Sequence, residues 1–243
     1  MPDFLPLALK KPFLLELKIK KFIYSMYNII YLVYNMKSYK DTENKILGNL
    51  LREPLKSKSL HQIALDTHLS YVTVHKIVPV LIKRKLVKQE KKGKANLVSL
   101  DFENAGLEDL SSAILYEKAK FMKKYPQIAI LVKDIEETLA GRLYILILFG
   151  SYAKEKPKQE SDIDLLFIIS DRKDIEAYKE KINKALKLST LKKDFKIVTT
   201  DDFVDMLNQK YTVGREAFES GLVLFGTEPY YAMVKAHARK RGY

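Results

Sequence analysis

The sequence has no cysteine. That excludes a disulfide framework, thiolate zinc sites and a cysteine nucleophile, and it fits a reducing, cytoplasmic setting. Histidine is scarce, at 4 in 243 residues, which leaves little material for a histidine-rich metal centre. The apolar, tyrosine-rich run from Phe22 to Tyr34 covers only 13 residues. A membrane-spanning helix needs about 20, at 1.5 Å per residue, so no stable membrane insertion is expected. Acidic charge is sparse in the first hundred residues. Residues 1–40 carry +5 and residues 41–100 carry +7 of the overall +13, whereas residues 101–243 carry +1. A basic front on a nearly neutral remainder suggests a polyanion-binding module joined to a second domain, or else lysine-rich solvated faces. What is present is 47% hydrophobic and 30% charged, an ordinary globular composition with enough length for a sizeable core.

Residues 1–40 read as an N-terminal extension. Lysines at 10, 11, 18, 20 and 21 precede the apolar run, the charge order of a signal peptide. However, Tyr34-Asn35-Met36-Lys37 lacks the small residues of a cleavage site. Three readings stay open: a helix packed on the body, a weak membrane-surface element, or a translation start at Met36.

Residues 41–104 carry a pattern of three helices and a hairpin. Thr42 can cap a helix with Ile46, Leu47, Leu50 and Leu51 on one side, and Pro54 stops it. Ser59 caps a second helix bearing Ile63, Ala64 and Leu65. A third runs from about Tyr71 to Lys85, with Val74, Ile77, Val78 and Leu81 inward. Pro79 falls inside it, where it should kink the axis, and Lys85 stands where a helix-ending glycine is common. Leu86–Glu90 and Leu97–Leu100 read as strands around the turn Lys91-Lys92-Gly93-Lys94. This succession resembles the winged-helix domains of bacterial and archaeal transcription regulators. The resemblance implies that Tyr71, Thr73, His75 and Lys76 face base edges in a major groove. Lys91, Lys92 and Lys94 would then sit against phosphates. Such domains also serve as dimerisation or protein-contact modules, and a homodimer is expected by analogy.

Residues 105–140 read as a helical connector, Leu107–Tyr125 and Gln127–Ala140, divided by Pro126. The first helix has an imperfect apolar stripe, and no site chemistry shows there.

Residues 141–243 hold the chemistry. Leu143–Phe149 is a continuous apolar run that reads as a buried strand. Gly150-Ser151 follows at once, then ten residues, then Asp162-Ile163-Asp164 opening a second apolar run. In a strand, positions i and i+2 share a face about 6.5 Å apart. Two carboxylates placed so repel unless a cation joins them, and Mg²⁺ with phosphate oxygens fits. The Gly-Ser turn offers close backbone approach, N–H donors and a hydroxyl.

The stretch Phe149 to Phe167 resembles the signature of the polymerase-β-type nucleotidyltransferase superfamily, and of its minimal prokaryotic members in particular. The resemblance implies an α+β fold: a winged helix-turn-helix followed by a nucleotidyltransferase-fold domain, its mixed β-sheet flanked by helices. It implies that Gly150, Ser151 and Lys154 contact the triphosphate of ATP or another nucleoside triphosphate. Asp162 and Asp164 would bind Mg²⁺ or Mn²⁺. After Lys154 the superfamily usually has glycine, and here stands Glu155. The third carboxylate is expected on the next strand, where alignment places Lys196. Asp194, two residues earlier, is the substitute candidate. Asp201 and Asp202 read as helix caps. His61, His68 and His75 fall on different predicted elements and read as structural or groove residues.

The expected activity is transfer of a nucleotide, AMP from ATP foremost, to a protein or RNA hydroxyl. Two alternatives remain. One is a transcriptional regulator whose degenerate transferase domain only binds nucleotide. The other is the antitoxin of a toxin–antitoxin pair, with the toxin as partner, because the superfamily includes antitoxins that adenylylate theirs.

Overall fold

The computed structural model describes residues 39–93, 95–187 and 189–241. The readings made on residues 1–35, and the phosphate contact assigned to Lys94, lie outside the described residues. Residues 43–243 form one compact unit.

The N-terminal lobe begins in a helix over 39–51 (α1). Thr42 therefore lies within α1 and does not cap it. Ile46, Leu47, Leu50 and Leu51 are buried, the stripe that their spacing predicts. Next come a two-residue strand, Lys58–Ser59 (β1), and the helices Leu60–Thr67 (α2) and Tyr71–Lys83 (α3). Ser59 caps α2 by accepting from the Gln62 N–H, and Ser70 caps α3 by accepting from the Thr73 N–H. Strands Val87–Lys92 (β2) and Ala95–Leu100 (β3) form a hairpin, and β1 joins the other side of β3. The lobe is pinned by Lys58, whose Nζ reaches Asp66 of α2 at 2.9 Å and Asn49 of α1 at 3.2 Å.

Two local expectations change. Lys91 and Lys92 belong to β2, paired with Asn96 and Ala95, so the turn is shorter than the sequence suggests. Pro79 leaves α3 helical through to Lys83, with its ring exposed. The end of α3 answers the missing glycine. Lys85 adopts φ +57, its N–H bonds to the Ile82 carbonyl, and the Leu86 N–H bonds back to the Leu81 carbonyl. That is the double bond of a Schellman ending, with a lysine in the left-handed position that glycine occupies most cheaply.

Helices Leu107–Lys124 (α4) and Pro126–Thr138 (α5) follow, with Pro126 opening α5. The imperfect stripe of α4 has a specific cause. The buried line is Leu110, Ala113, Ile114, Glu117 and Phe121, so one of its members is a carboxylate.

The C-terminal sheet is mixed, in the order β6-β5-β4-β7. Its members are Ile145–Phe149 (β4), Ile163–Ile169 (β5), Lys193–Thr199 (β6) and Leu222–Phe225 (β7). β4 pairs antiparallel with both β5 and β7, whereas β5 and β6 run parallel. A parallel neighbour needs a crossover. It is supplied by the 3₁₀ turn Arg172–Asp174 and the helix Ile175–Lys187 (α7). β4 is buried along its whole length, and β5 is buried except at half-exposed Asp164, because helices cover the sheet. Each fully buried Leu, Ile or Phe contributes about 1.5–3 kcal/mol of hydrophobic stabilisation. Four further helices complete the unit: Gly150–Ala153 (α6), Thr200–Leu207 (α8), Val213–Ser220 (α9) and Thr227–Arg241 (α10). Thr199 is the N-cap of α8 and Asp202 completes its capping box, whereas Asp201, also read as a cap, lies in the first turn. Among the described residues, no helix is long and apolar enough to cross a membrane.

Candidate functional site

β4 delivers the chain to a sharp corner. Gly150 has φ +69, where an L side chain is strained. A Cβ built on it would lie 2.0 Å from Asp164 Oδ2. Glycine is thus required twice, by backbone conformation and by the carboxylate packed over it. The antiparallel register sets this contact, since Phe149 pairs with Asp164 and Gly150 is the next residue. Ser151 follows as the second residue of α6, half-buried. Lys154 ends the corner exposed, with Nζ 2.8 Å from Glu216 of α9.

The carboxylates sit around this corner. Asp164 lies on β5 and Asp162 immediately before it, exposed. The parallel register sets Asp194 opposite Asp164 and Lys196 opposite Leu166. Asp164 and Asp194 therefore occupy one rung of the sheet, and Lys196 lies one pleat deeper. Lys196 Nζ is 3.1 Å from Asp194 Oδ2, with both side chains more than half exposed.

Asp164 titrates above the usual carboxylate range. Burial is the main cause, and the negative charges of Glu216, Asp162 and Asp194 add to it, while Lys154 pulls the other way. Three carboxylates and one lysine thus act on Asp164 here. Glu216 is the member that the sequence reading missed, and it is first among the charges raising Asp164. It lies 52 positions beyond Asp164 on a separate helix, and its one visible signal was an acidic residue in the first turn of α9.

Two carboxylates at one strand end fit a divalent cation. Among the described residues no three acidic or histidine side chains form a ready-made cage. Mg²⁺ is commonly held by one or two carboxylates together with substrate phosphates. Asp162 and Asp164 are the residues that could hold it.

Glu155 explains the departure from glycine after Lys154. It adopts φ +54, and its carboxylate is held by Arg52 of the N-terminal lobe at 3.1 Å and Lys124 of α4 at 2.5 Å. Burial pushes Glu155 up, but Lys124 and Arg52 outweigh it and keep the carboxyl below its ordinary value. Beside this turn lies a cleft of about 1030 Å³, lined by Arg52, Lys58, Lys154, Glu155, Tyr211 and Glu216 among others.

Residues 133–230 match the family described as polymerase beta, nucleotidyltransferase. The match runs from the middle of α5 into α10 and covers the whole four-stranded sheet. A solved structure described as the crystal structure of the toxin-antitoxin with AMP-PNP is similar at 19% identity and a TM-score of 0.31. That similarity covers 46% of this chain and 86% of the other. A search of curated proteins found no match.

The second candidate face lies apart from this corner, on α3 and the hairpin. Tyr71, His75 and Lys76 are exposed on α3, with the Tyr71 and His75 rings 6.0 Å apart. Thr73 is half-buried, and its hydroxyl is engaged with Ser70 at 2.7 Å in the helix cap. Val72 is exposed beside Tyr71 and was not singled out in the sequence. Lys91 and Lys92 are exposed at the end of β2.

Proposed function

We propose that this protein is a divalent-cation-dependent nucleotidyltransferase joined to a winged-helix DNA-binding domain. The carrying observation is the Gly150 corner packed against Asp164, with Asp162 beside it and Asp194 on the same rung. The family match over this segment supports the same reading. Gly150 brings the backbone corner against the Asp164 carboxylate, and burial first, with the negative charges of Glu216, Asp162 and Asp194 second, raises that carboxyl, as expected where a cation belongs.

In this reading the Gly150 backbone and the Ser151 hydroxyl hold triphosphate oxygens. Lys154 exchanges Glu216 for phosphate. Asp162 and Asp164 hold Mg²⁺ or Mn²⁺, which when bound neutralises phosphate charge and polarises the reacting phosphorus. The acceptor hydroxyl oxygen bonds to the α-phosphorus of ATP as the bond to pyrophosphate breaks. The hydroxyl proton passes to the Asp194 carboxylate, and pyrophosphate leaves with its electron pair. The N-terminal lobe, with its helix, strand, two helices and hairpin, reads as the winged helix. Tyr71, His75 and Lys76 would face DNA bases, and Lys91 and Lys92 the phosphates.

One observation favours a second reading, a regulator that binds nucleotide without transferring it. Lys196 engages the Asp194 carboxylate in an ion pair at 3.1 Å, so the candidate proton acceptor already has a partner.

The test is label transfer. Purified protein is incubated with each α-labelled nucleoside triphosphate and Mg²⁺ or Mn²⁺, alone and with cell extract, beside Asp162→Ala. Label on a protein or RNA that disappears in the variant supports the transferase. Saturable nucleotide binding without label supports the regulator. Neither binding nor label rejects both.

A further inference from the structure

We propose that Arg52, supplied by the N-terminal lobe, is a positioning residue for the phosphate corner of the nucleotide site. The inference rests on the nucleotide-binding reading above. It goes beyond it by making that site incomplete without the N-terminal lobe.

Arg52 lies just beyond the C-terminal end of α1, and its side chain is only 14% exposed. Its guanidinium has three partners. Nη1 donates to the Ala153 carbonyl at 2.9 Å, Nη2 to Glu155 Oε1 at 3.1 Å, and Nε lies 3.5 Å from Glu117 Oε2. Ala153 and Glu155 flank Lys154. One rigid fork therefore grips the backbone before Lys154 and the side chain after it, which fixes where Lys154 projects. Arginine presents its donors in a planar geometry that lysine cannot copy.

The surroundings are built around this side chain. Glu117 is buried on α4 at a position where the apolar stripe calls for a hydrophobe. It fits because Gly48 of α1 has no side chain, since a Cβ there would lie 2.5 Å from Glu117 Cγ. Glu155 holds a left-handed backbone, φ +54, that disfavours non-glycine residues. That strain persists where the surroundings over-determine it, and here Arg52 and Lys124 do so from two directions. Two cations and two carboxylates balance in charge, so the network is neutral within itself. It ties α1, α4 and the corner together.

Three local backbone hydrogen bonds close the corner and report on it directly. The N–H groups of Lys154, Glu155 and Lys156 donate to the carbonyls of Gly150, Tyr152 and Ser151. Hydrogen exchange at these amides reads the order of the corner in the free protein, with no nucleotide present. Binding of a fluorescent ATP analogue with Mg²⁺ reads its consequence. The test uses the full chain as wild type, Arg52→Gln, Arg52→Lys and Glu155→Gly, with Asp164→Asn as the binding control.

The expected result for Arg52→Gln is at least about tenfold faster exchange at the three amides and about tenfold weaker nucleotide binding. Arg52→Lys keeps the charge but loses the fork, and it should fall between. Glu155→Gly relieves the backbone strain yet cuts the tie, so the protein should melt no lower while exchange rises and binding weakens a few fold. Unchanged exchange and unchanged binding in Arg52→Gln would overturn the proposal and leave Arg52 a packing residue. Should that variant fail to fold, Arg52→Lys and Glu155→Gly decide by the same two readouts. A wild type that binds no nucleotide, with exchange still faster in the variants, would reject the nucleotide reading and keep Arg52 as the organiser of the corner.

Discussion

The two ends of the described chain use their polar residues differently. In the N-terminal lobe, the residues assigned to DNA stand on regular elements and are exposed: Tyr71, His75 and Lys76 on α3, Lys91 and Lys92 on β2. None of them has a left-handed backbone. At the β4–β5 rim the reverse holds. Gly150 is in a left-handed conformation beneath a carboxylate, and Asp164 is half-buried among three other acids. The contrast teaches where chemistry leaves a structural trace. In the proposed roles, a face that meets phosphates needs only charge and exposure, whereas a site that holds charge against charge costs conformational freedom and stability.

The sharpest way to break this contrast is at Gly150. Gly150→Ala combines positive φ with a Cβ 2.0 Å from Asp164 Oδ2. It should cost about 2–4 kcal/mol in chemical denaturation and abolish Mg²⁺-dependent nucleotide binding. A variant that unfolds and binds like wild type would make the corner an ordinary turn.

Asp164→Asn should separate function from stability. A carboxyl held above its unfolded value binds its proton more tightly in the folded chain. Folded-state stability therefore falls as pH rises through the window from the ordinary carboxylate value to the raised one, and the penalty is complete above it. Removing the charge should raise the melting temperature at neutral pH and flatten its dependence over that window, while cation-dependent nucleotide binding is lost. A lower melting temperature at pH 7 would contradict the crowding of charge around Asp164.

The third strand tests the rim at its weakest member. If Asp194 accepts the acceptor proton, Asp194→Asn should slow label transfer by about 10²–10⁴-fold with nucleotide affinity preserved. Lys196→Gln should speed transfer by freeing Asp194. Its stability should change by no more than about 1 kcal/mol, because both partners are exposed.

In the N-terminal lobe the effects should be smaller and of another kind. Lys91→Ala with Lys92→Ala should weaken DNA binding and lower the salt slope by about 0.9 for each phosphate that the hairpin no longer neutralises. Stability should move within about 0.5 kcal/mol, as for other exposed sites. An unchanged slope would remove the hairpin from the phosphates. The smallest expected effect is stabilising. Lys85→Gly should add about 0.4–1 kcal/mol, because the Schellman ending of α3 already holds position 85 at φ +57.

Much of this was legible in the sequence, for identifiable reasons. The cap at Ser59, the stripe of α3 and the buried run of β4 are local patterns, and local patterns carry their own period. The Gly-Ser corner and the two aspartates were legible because unusual residues stand at fixed spacing beside strands. The α1 start was misread because Thr42 looks like a cap, while the helix is already running at residue 39. The hairpin turn was drawn too wide because lysines read as loop, yet here they pair across β2 and β3. Arg52, Glu117 and Glu216 stayed hidden for a different reason. Each is a charged residue on a helix or at its end, where the local expectation is a solvated face. Only tertiary packing brings Arg52 to Glu155, 103 positions away.

Gly150, Asp162 and Asp164 are proposed to form one cation-dependent nucleotide site. The most direct measurement is the titration of a labelled nucleoside triphosphate into the full chain, with and without Mg²⁺, for wild type and for Asp162→Ala with Asp164→Ala. The expected result is saturable binding that needs the cation and is absent from the double variant, with DNA binding intact in that variant. Nucleotide binding of equal strength without Mg²⁺, or undiminished in the double variant, would contradict it.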